Sequence, residues 1–102
     1  MTYAIVMKLM RIGDENLLAA TELRLLNKTF RERNLHITVT DNFYGTMRVS
    51  IDVFRSALQI CTIANLVGKT VTDEAIKLGL IDPENIITID GVPYAQYAKI
   101  TN

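Results

Sequence analysis

Ala64-Asn65-Leu66-Val67-Gly68, then residues 70–79, then Asp82-Pro83-Glu84-Asn85, then Asp90-Gly91-Val92-Pro93-Tyr94-Ala95-Gln96: each junction in this run carries a polar residue or a glycine. Gly68 is expected to end one helix. Thr70 is expected to cap the next, with Asp73 three residues on as an acidic form of the capping box. Gly79 closes that second helix, and Leu80 can fold back on Ala75 or Ile76 in a Schellman contact. Asp82-Pro83-Glu84-Asn85 fits a type I turn with proline at its second position. Asp90-Gly91, set between strands expected at residues 86–89 and 92–100, is the two-residue loop of a β-hairpin. Pro93 has no amide donor, which places the last strand at a sheet edge near that point.

Working outward, Phe54, Ala57, Leu58, Cys61 and Ala64 form an apolar stripe widened by Val53, Ile60 and Val67, with Arg55, Gln59 and Thr62 opposite. So broad a stripe predicts one main helix buried against a sheet, opened by Ser50 or Asp52. Residues 2–10 are nearly all apolar, with Lys8 interrupting, and read as a strand covered on both faces. A turn at Gly13-Asp14 leads to a second strand over residues 17–21. Thr21 is expected to cap one helical turn over residues 22–26, ended by a left-handed Asn27. Residues 35–40 alternate, with Leu35, Ile37 and Val39 facing one way, as in a half-buried strand. Residues 41–47 form a loop holding Phe43, Tyr44 and Gly45. The order is ββ, a short helical turn, β, αα, ββ. It describes an α+β fold, a single two-layer domain over residues 1–102 with a mixed sheet, one main buried helix and a C-terminal Asp-Gly hairpin. The hairpin can dock beside either the first strand or the third.

The size of 102 residues suits one domain. With 49% apolar and 22% charged residues the composition is that of an ordinary globular protein. No stretch approaches the ~20 apolar residues of a membrane span, so no membrane is expected. The N-terminus lacks a basic leader with a cleavage site, and Cys61 is the single cysteine. Both features point to a reducing cytoplasm. The net charge is zero, against strong non-specific nucleic-acid binding, yet Arg24, Lys28, Arg31 and Arg33 crowd into ten residues. That cluster is either a solvated loop or a small anion-binding patch.

Catalytic constellations are missing from the pattern. His36 is the single histidine, and Cys61, on an apolar stripe, reads as core rather than as its nucleophilic partner. Neither a metal site nor a cofactor is expected. Gly68-Lys69-Thr70 lacks the upstream glycine of a phosphate loop, though the amides at Thr70 with Lys69 can hold one anion. Asp14-Glu15 and Asp73-Glu74 are read as surface pairs, not as a buried acid and base. What remains is a set of polar and aromatic residues near loops: Asn42, Tyr44, Asn65, Tyr94 and Gln96. Tyrosines and amides beside cations suit stacking and edge recognition of RNA. The same residue types also satisfy backbone groups in structural loops.

Six segments taken in order resemble the small archaeal family known as domain of unknown function 424. They are LLNKTF (25–30), NFYG (42–45), ANLVG (64–68), AIKLGL (75–80), DPEN (82–85) and GVPYAQ (91–96). This chain departs from the family pattern at Asn27 and Thr46, where glycine is preferred, and at Tyr94, where histidine is preferred. A histidine acting as acid, base or metal ligand would be lost at Tyr94, whereas stacking and hydrogen bonding would survive. The resemblance implies an archaeal cytoplasmic protein, and the departure at Tyr94 favours binding over catalysis; an association with translation or RNA is a further expectation that the resemblance itself does not carry.

The function expected is a non-catalytic module for RNA or a ribonucleoprotein such as a ribosomal component. In it Lys28, Arg31 and Arg33 hold phosphates, Phe30, Tyr44 or Tyr94 stack, and Asn42, Asn65 or Gln96 hydrogen-bond. Two alternatives stand beside it. One is a protein–protein adaptor or homodimer, joined through the edge near Pro93 or the face of residues 35–39. The other is a small enzyme with a pocket at Asn65, Tyr94 and Gln96.

Overall fold

The structure, a computed structural model, describes residues 4–99. Its elements in chain order are β1 (Ile5–Ile12), β2 (Glu15–Glu22), β3 (Thr29–Glu32), β4 (Leu35–Thr38), α1 (Asp41–Tyr44), β5 (Met47–Val49), α2 (Ile51–Ile60), β6 (Ile63–Val67), α3 (Lys69–Lys77), β7 (Ile87–Ile89) and β8 (Val92–Ala98). Short 3₁₀ turns occupy Leu23–Leu25 and Pro83–Asn85. Six strands make one mixed sheet in the order β5-β1-β2-β6-β8-β7, and β3 and β4 make a separate two-stranded ribbon. The fold is α+β, as expected from the sequence, and the C-terminal hairpin docks on neither the first strand nor the ribbon but on β6. The ends of the expected outer strands, residues 2–3 and 100, lie outside the described residues.

The main correction concerns residues 61–67. The helix stops at Ile60, and Ile63–Val67 is a strand at the centre of the sheet, parallel to β2 and antiparallel to β8. The apolar stripe misled because Ala64, Leu66 and Val67 are buried in either conformation. Period-two burial fits the strand: Ala64 and Leu66 join Phe54 and Leu58 in one cluster, while Val67 belongs to another. The stop is tertiary. The Lys99 ammonium donates to the Leu58 and Gln59 carbonyls, the latter at 3.0 Å, covering the helix's C-terminal acceptors.

Gly68 accordingly ends a strand, not a helix, and serves as the N-cap of α3 with φ 116°. A Cβ there would meet the Glu22 carboxylate at 2.5 Å. Thr70 does not cap this helix. Its amide donates to Glu22 Oε2 at 2.9 Å, so a carboxylate on β2 supplies the missing acceptor. Thr21 likewise does no capping; its hydroxyl donates to the Val67 carbonyl at 2.9 Å and ties β2 to β6. The exit of α3 is as expected: Leu80 N–H reaches Ala75 O and Gly79 N–H reaches Ile76 O, with Gly79 at φ 73°. Asp90 and Gly91, both left-handed, turn the chain between Ile89 and Val92.

Pro93 lies on an interior strand rather than at an edge, since β8 runs between β6 and β7. It is tolerated because β6 has ended opposite it. The Pro93 carbonyl accepts from Gly68 N–H, and the Gly68 carbonyl that would need a proline donor is taken by Thr72 instead.

The sheet has two unlike faces. On one, Ile5, Met7, Leu18, Ala20, Leu66 and Ala95 pack against Phe54, Leu58, Val71 and Ala75 of α2 and α3. On the other, Ala19 and Val67 meet Val39 and Tyr44, with Phe30, Ile37, Phe43 and Tyr94 around them. Here the β3–β4 ribbon and α1 form a partial cover. The ribbon is held in place when Glu32 Oε1 accepts from Asp90 N–H at 2.8 Å.

Candidate functional site

On the second face, β6 and β8 pair Asn65 with Gln96 in register, and Tyr94 lies two residues before Gln96 on the same face. Tyr44 arrives from α1, whose N-terminus is capped by Thr40 Oγ1 accepting from Phe43 N–H. These four side chains form one hydrogen-bonded chain. Tyr44 Oη donates to Asn65 Oδ1 at 2.5 Å, Asn65 Nδ2 donates to Tyr94 Oη at 3.3 Å, and Tyr94 Oη donates to Gln96 Oε1 at 2.9 Å. Burial grades along it: Tyr44 is buried, Asn65 and Tyr94 are half-buried, and Gln96 is exposed. Burial pushes the Tyr44 phenol well above its ordinary range, with the neighbouring Tyr94 adding to the shift. It stays protonated and donates to Asn65, toward the exposed end of the chain. At the outer end the Gln96 NH₂ group bonds to none of the described residues, leaving two donors for solvent or a ligand.

The remaining candidates separate from this chain. Arg31 pairs across the ribbon with His36, on the face opposite the core-facing pair Phe30 and Ile37. Arg33 sits at the ribbon's tip with φ 57°, and Lys28 precedes β3; all three cations are exposed. Phe30 is half-buried and packs into the second-face cluster, where it anchors the ribbon. Asn42 is exposed and lends its backbone carbonyl to Lys8 Nζ at 2.9 Å. Arg24 leaves the basic group, since its guanidinium binds Glu22 Oε1 at 2.8 Å. The structure thus joins Tyr44, Asn65, Tyr94 and Gln96, and sets Arg31 and Arg33 on the β3–β4 ribbon, Arg31 on its outer face, with Lys28 just before it.

Two buried carboxylates escaped the sequence reading. Glu22 is fully buried and bridges Arg24 to the first turn of α3. The anion at that helix end is therefore the protein's own, and Lys69 is occupied with Asp73 at 2.9 Å. Glu74, read as a surface acid, is 5% exposed. Its carboxyl is held below the usual range by a hydrogen bond from Arg55 at 2.7 Å, helped by Lys77 against the cost of burial. Both are structural ion pairs under the helices. Cys61 is in the core, where burial pushes its thiol up, far from a nucleophile's state. Among the described residues no three His, Cys, Asp or Glu side chains converge as a metal site would require. Among the described residues no helix is long and apolar enough to cross a membrane.

A cavity of about 300 Å³ lies beside Gln96, between Tyr97 and the segment Gly79–Asp82 with Asn85. Asn65 and Tyr94 do not line it, so the pocket expected at all three residues is displaced toward the loop after α3.

Residues 10–100 match the family described as protein of unknown function (DUF424). The chain belongs to that family. Its fold is shared by the crystal structure of an uncharacterized conserved protein from Methanopyrus kandleri, with a TM-score of 0.75 and 20% identity, covering 92% of this chain and 90% of that one. No curated protein matches the chain. In this chain the fold places the Asn65–Gln96 pair on two adjacent interior strands that present amide side chains on one face.

Proposed function

We propose that this protein is a non-catalytic binding module for single-stranded RNA or a ribonucleoprotein, acting in the cytoplasm. The observation that carries the reading is the chain from Tyr44 through Asn65 and Tyr94 to Gln96. It fixes the exposed amide of Gln96 from behind and leaves its donors for a base edge, as recognition of unpaired bases requires. The β3–β4 ribbon carries Arg31 and Arg33, with Lys28 just before it, and these cations suit phosphates. A small enzyme built on Asn65, Tyr94 and Gln96 draws on the same convergence. The Tyr94 hydroxyl, however, is engaged on both sides, which favours holding over proton transfer.

Binding of single-stranded RNA oligomers, followed across a salt series, tests the reading. Affinity should fall with a log–log slope near −0.7 for each phosphate neutralised. Arg31→Ala should make that slope shallower, and Gln96→Ala should weaken binding without changing it. Absence of any binding at low salt removes the proposal.

A further inference from the structure

β8 pairs with β6 on one side and only in part with β7 on the other. Gly68 N–H donates to the Pro93 carbonyl and Lys99 N–H to the Thr62 carbonyl, so residues 93, 95, 97 and 99 turn their backbone groups toward β6. Those of Tyr94, Gln96 and Ala98 turn the other way. β7 meets Val92, Pro93 and Tyr94 and goes no further. Its register, carried on, would set Asn85 opposite Gln96. The Pro83–Asn85 turn prevents this. Asn85 N–H is taken by the Asp82 carbonyl at 2.9 Å, and Ile86 N–H by the Pro83 carbonyl at 3.2 Å. The outward N–H and C=O of Gln96 therefore bond to none of the described residues. Where the strand is missing, the cavity of about 300 Å³ opens, at the low end of the ~300–1,000 Å³ of ligand pockets.

Two more groups on its lining lack partners among the described residues. The Asp82 carboxylate caps nothing and pairs with no cation, and the Asn85 side-chain amide is unbonded. None of the described residues lining the cavity is cationic, so a phosphate is disfavoured there. Tyr97 and Leu80 add apolar surface for a planar ring. We infer that this cavity holds a guanine base, with Asp82 accepting from N1–H and the N2 amine and Gln96 N–H donating to O6. Guanine alone among the RNA bases presents two adjacent donors on its Watson–Crick edge, which the two oxygens of a carboxylate accept together. Adenine and cytosine present one donor beside an acceptor, and uracil one donor between two acceptors. Each of these sets a lone pair against the Asp82 charge. The volume suits one base rather than a dinucleotide. The inference rests on the RNA reading only for the source of the base, since single-stranded RNA and a free guanine nucleotide present the same edge.

Nucleotide titrations followed by amide resonances test this. Guanosine 5′-monophosphate should shift Gln96, Ala98 and Asn85. Adenosine 5′-monophosphate, which carries the same phosphate, should bind about tenfold more weakly. Inosine 5′-monophosphate, which lacks the N2 amine, should fall between them. Asp82 is exposed, and Asp82→Asn keeps the carbonyl that Asn85 N–H needs, so the fold should be unchanged. That variant should bind all three nucleotides with similar affinity. Asp52→Asn, the same charge change just after β5 at the opposite edge of the sheet, should leave the order intact. In a second arm, a uridine tract carrying one guanosine should bind more tightly than the same tract carrying one adenosine. Equal, salt-dependent binding of both tracts would leave the RNA module standing and overturn the guanine site. Guanine nucleotide binding without RNA binding would support the site, with free nucleotide as its source, and remove the RNA reading. No shift at Gln96 up to about 10 mM guanosine 5′-monophosphate, or a guanine preference that survives Asp82→Asn, overturns the inference.

Discussion

Two tyrosines, one under each face of the sheet, show how differently those faces are built. Tyr44 on the second face donates to Asn65 and begins a chain that reaches solvent at Gln96. Tyr97 on the helix face packs against the core beside Cys61, and its hydroxyl is buried with no partner among the described residues. Burial raises both phenols above their ordinary range, so both are neutral where proteins function. One hydroxyl is therefore a fixed donor in a network, and the other is a polar atom carried at a cost by an apolar layer. The helix face is organised for stability, and the second face holds a graded path from core to surface.

The largest effect separating the faces should come from truncating the helix side. Leu58, fully buried, should cost about 2–5 kcal/mol on Leu58→Ala. Gln96→Ala should stay within about 0.5 kcal/mol. Urea unfolding of the two variants measures both, and equal losses would erase the distinction. Next, Tyr44→Phe leaves Asn65 Oδ1 without its donor and should lose about 1–2 kcal/mol. Tyr97→Phe removes an orphan hydroxyl and should be neutral or stabilising by up to about 1 kcal/mol. A clear loss in Tyr97→Phe would mean that its hydroxyl is satisfied in solution.

Smaller effects follow from pH. The two phenols have raised folded values, so the stability linked to them is complete below the unfolded value near about 10 and is lost as pH rises through the folded values. Alkaline unfolding should shift upward in Tyr97→Phe. Glu74 runs the opposite way. Its lowered folded value gives stability that is present above about 4.3 and lost as pH falls through the folded value. Acid titration of Glu74→Gln should show a flatter decline than the unmodified chain, and an unchanged slope would mean that other carboxylates dominate.

The parts of this fold readable from the chain are those with local causes. The Schellman turn at Gly79, the Asp90-Gly91 hairpin, the left-handed Asn27 and the first hairpin all depend on residues within a few positions of one another. The break between α2 and β6 does not. Neither glycine nor proline marks Cys61-Thr62, and the group that covers the helix end, Lys99, lies about forty residues on. β3 is illegible for another reason: of its four residues Phe30 alone turns inward, too little for a periodic signal. The polar chain was legible in residue type but not in arrangement. The apolar stripe places Asn65 near a helix end, whereas its position opposite Gln96 depends on β6 being a strand. Glu22 was not anticipated because its partners, Thr70 and Gly68, are brought to it by that same strand.

β6 also governs the order in which the molecule can assemble. The hairpins on either side of it close over two-residue turns and need nothing beyond themselves, whereas the Thr21–Val67 contact spans 46 residues. During synthesis β6 emerges with β2 already available on one side and β8 not yet made. Until residues 92–98 leave the ribosome, the edge of β6 that pairs with β8 has no neighbour, and that interval exposes the nascent chain to misassociation.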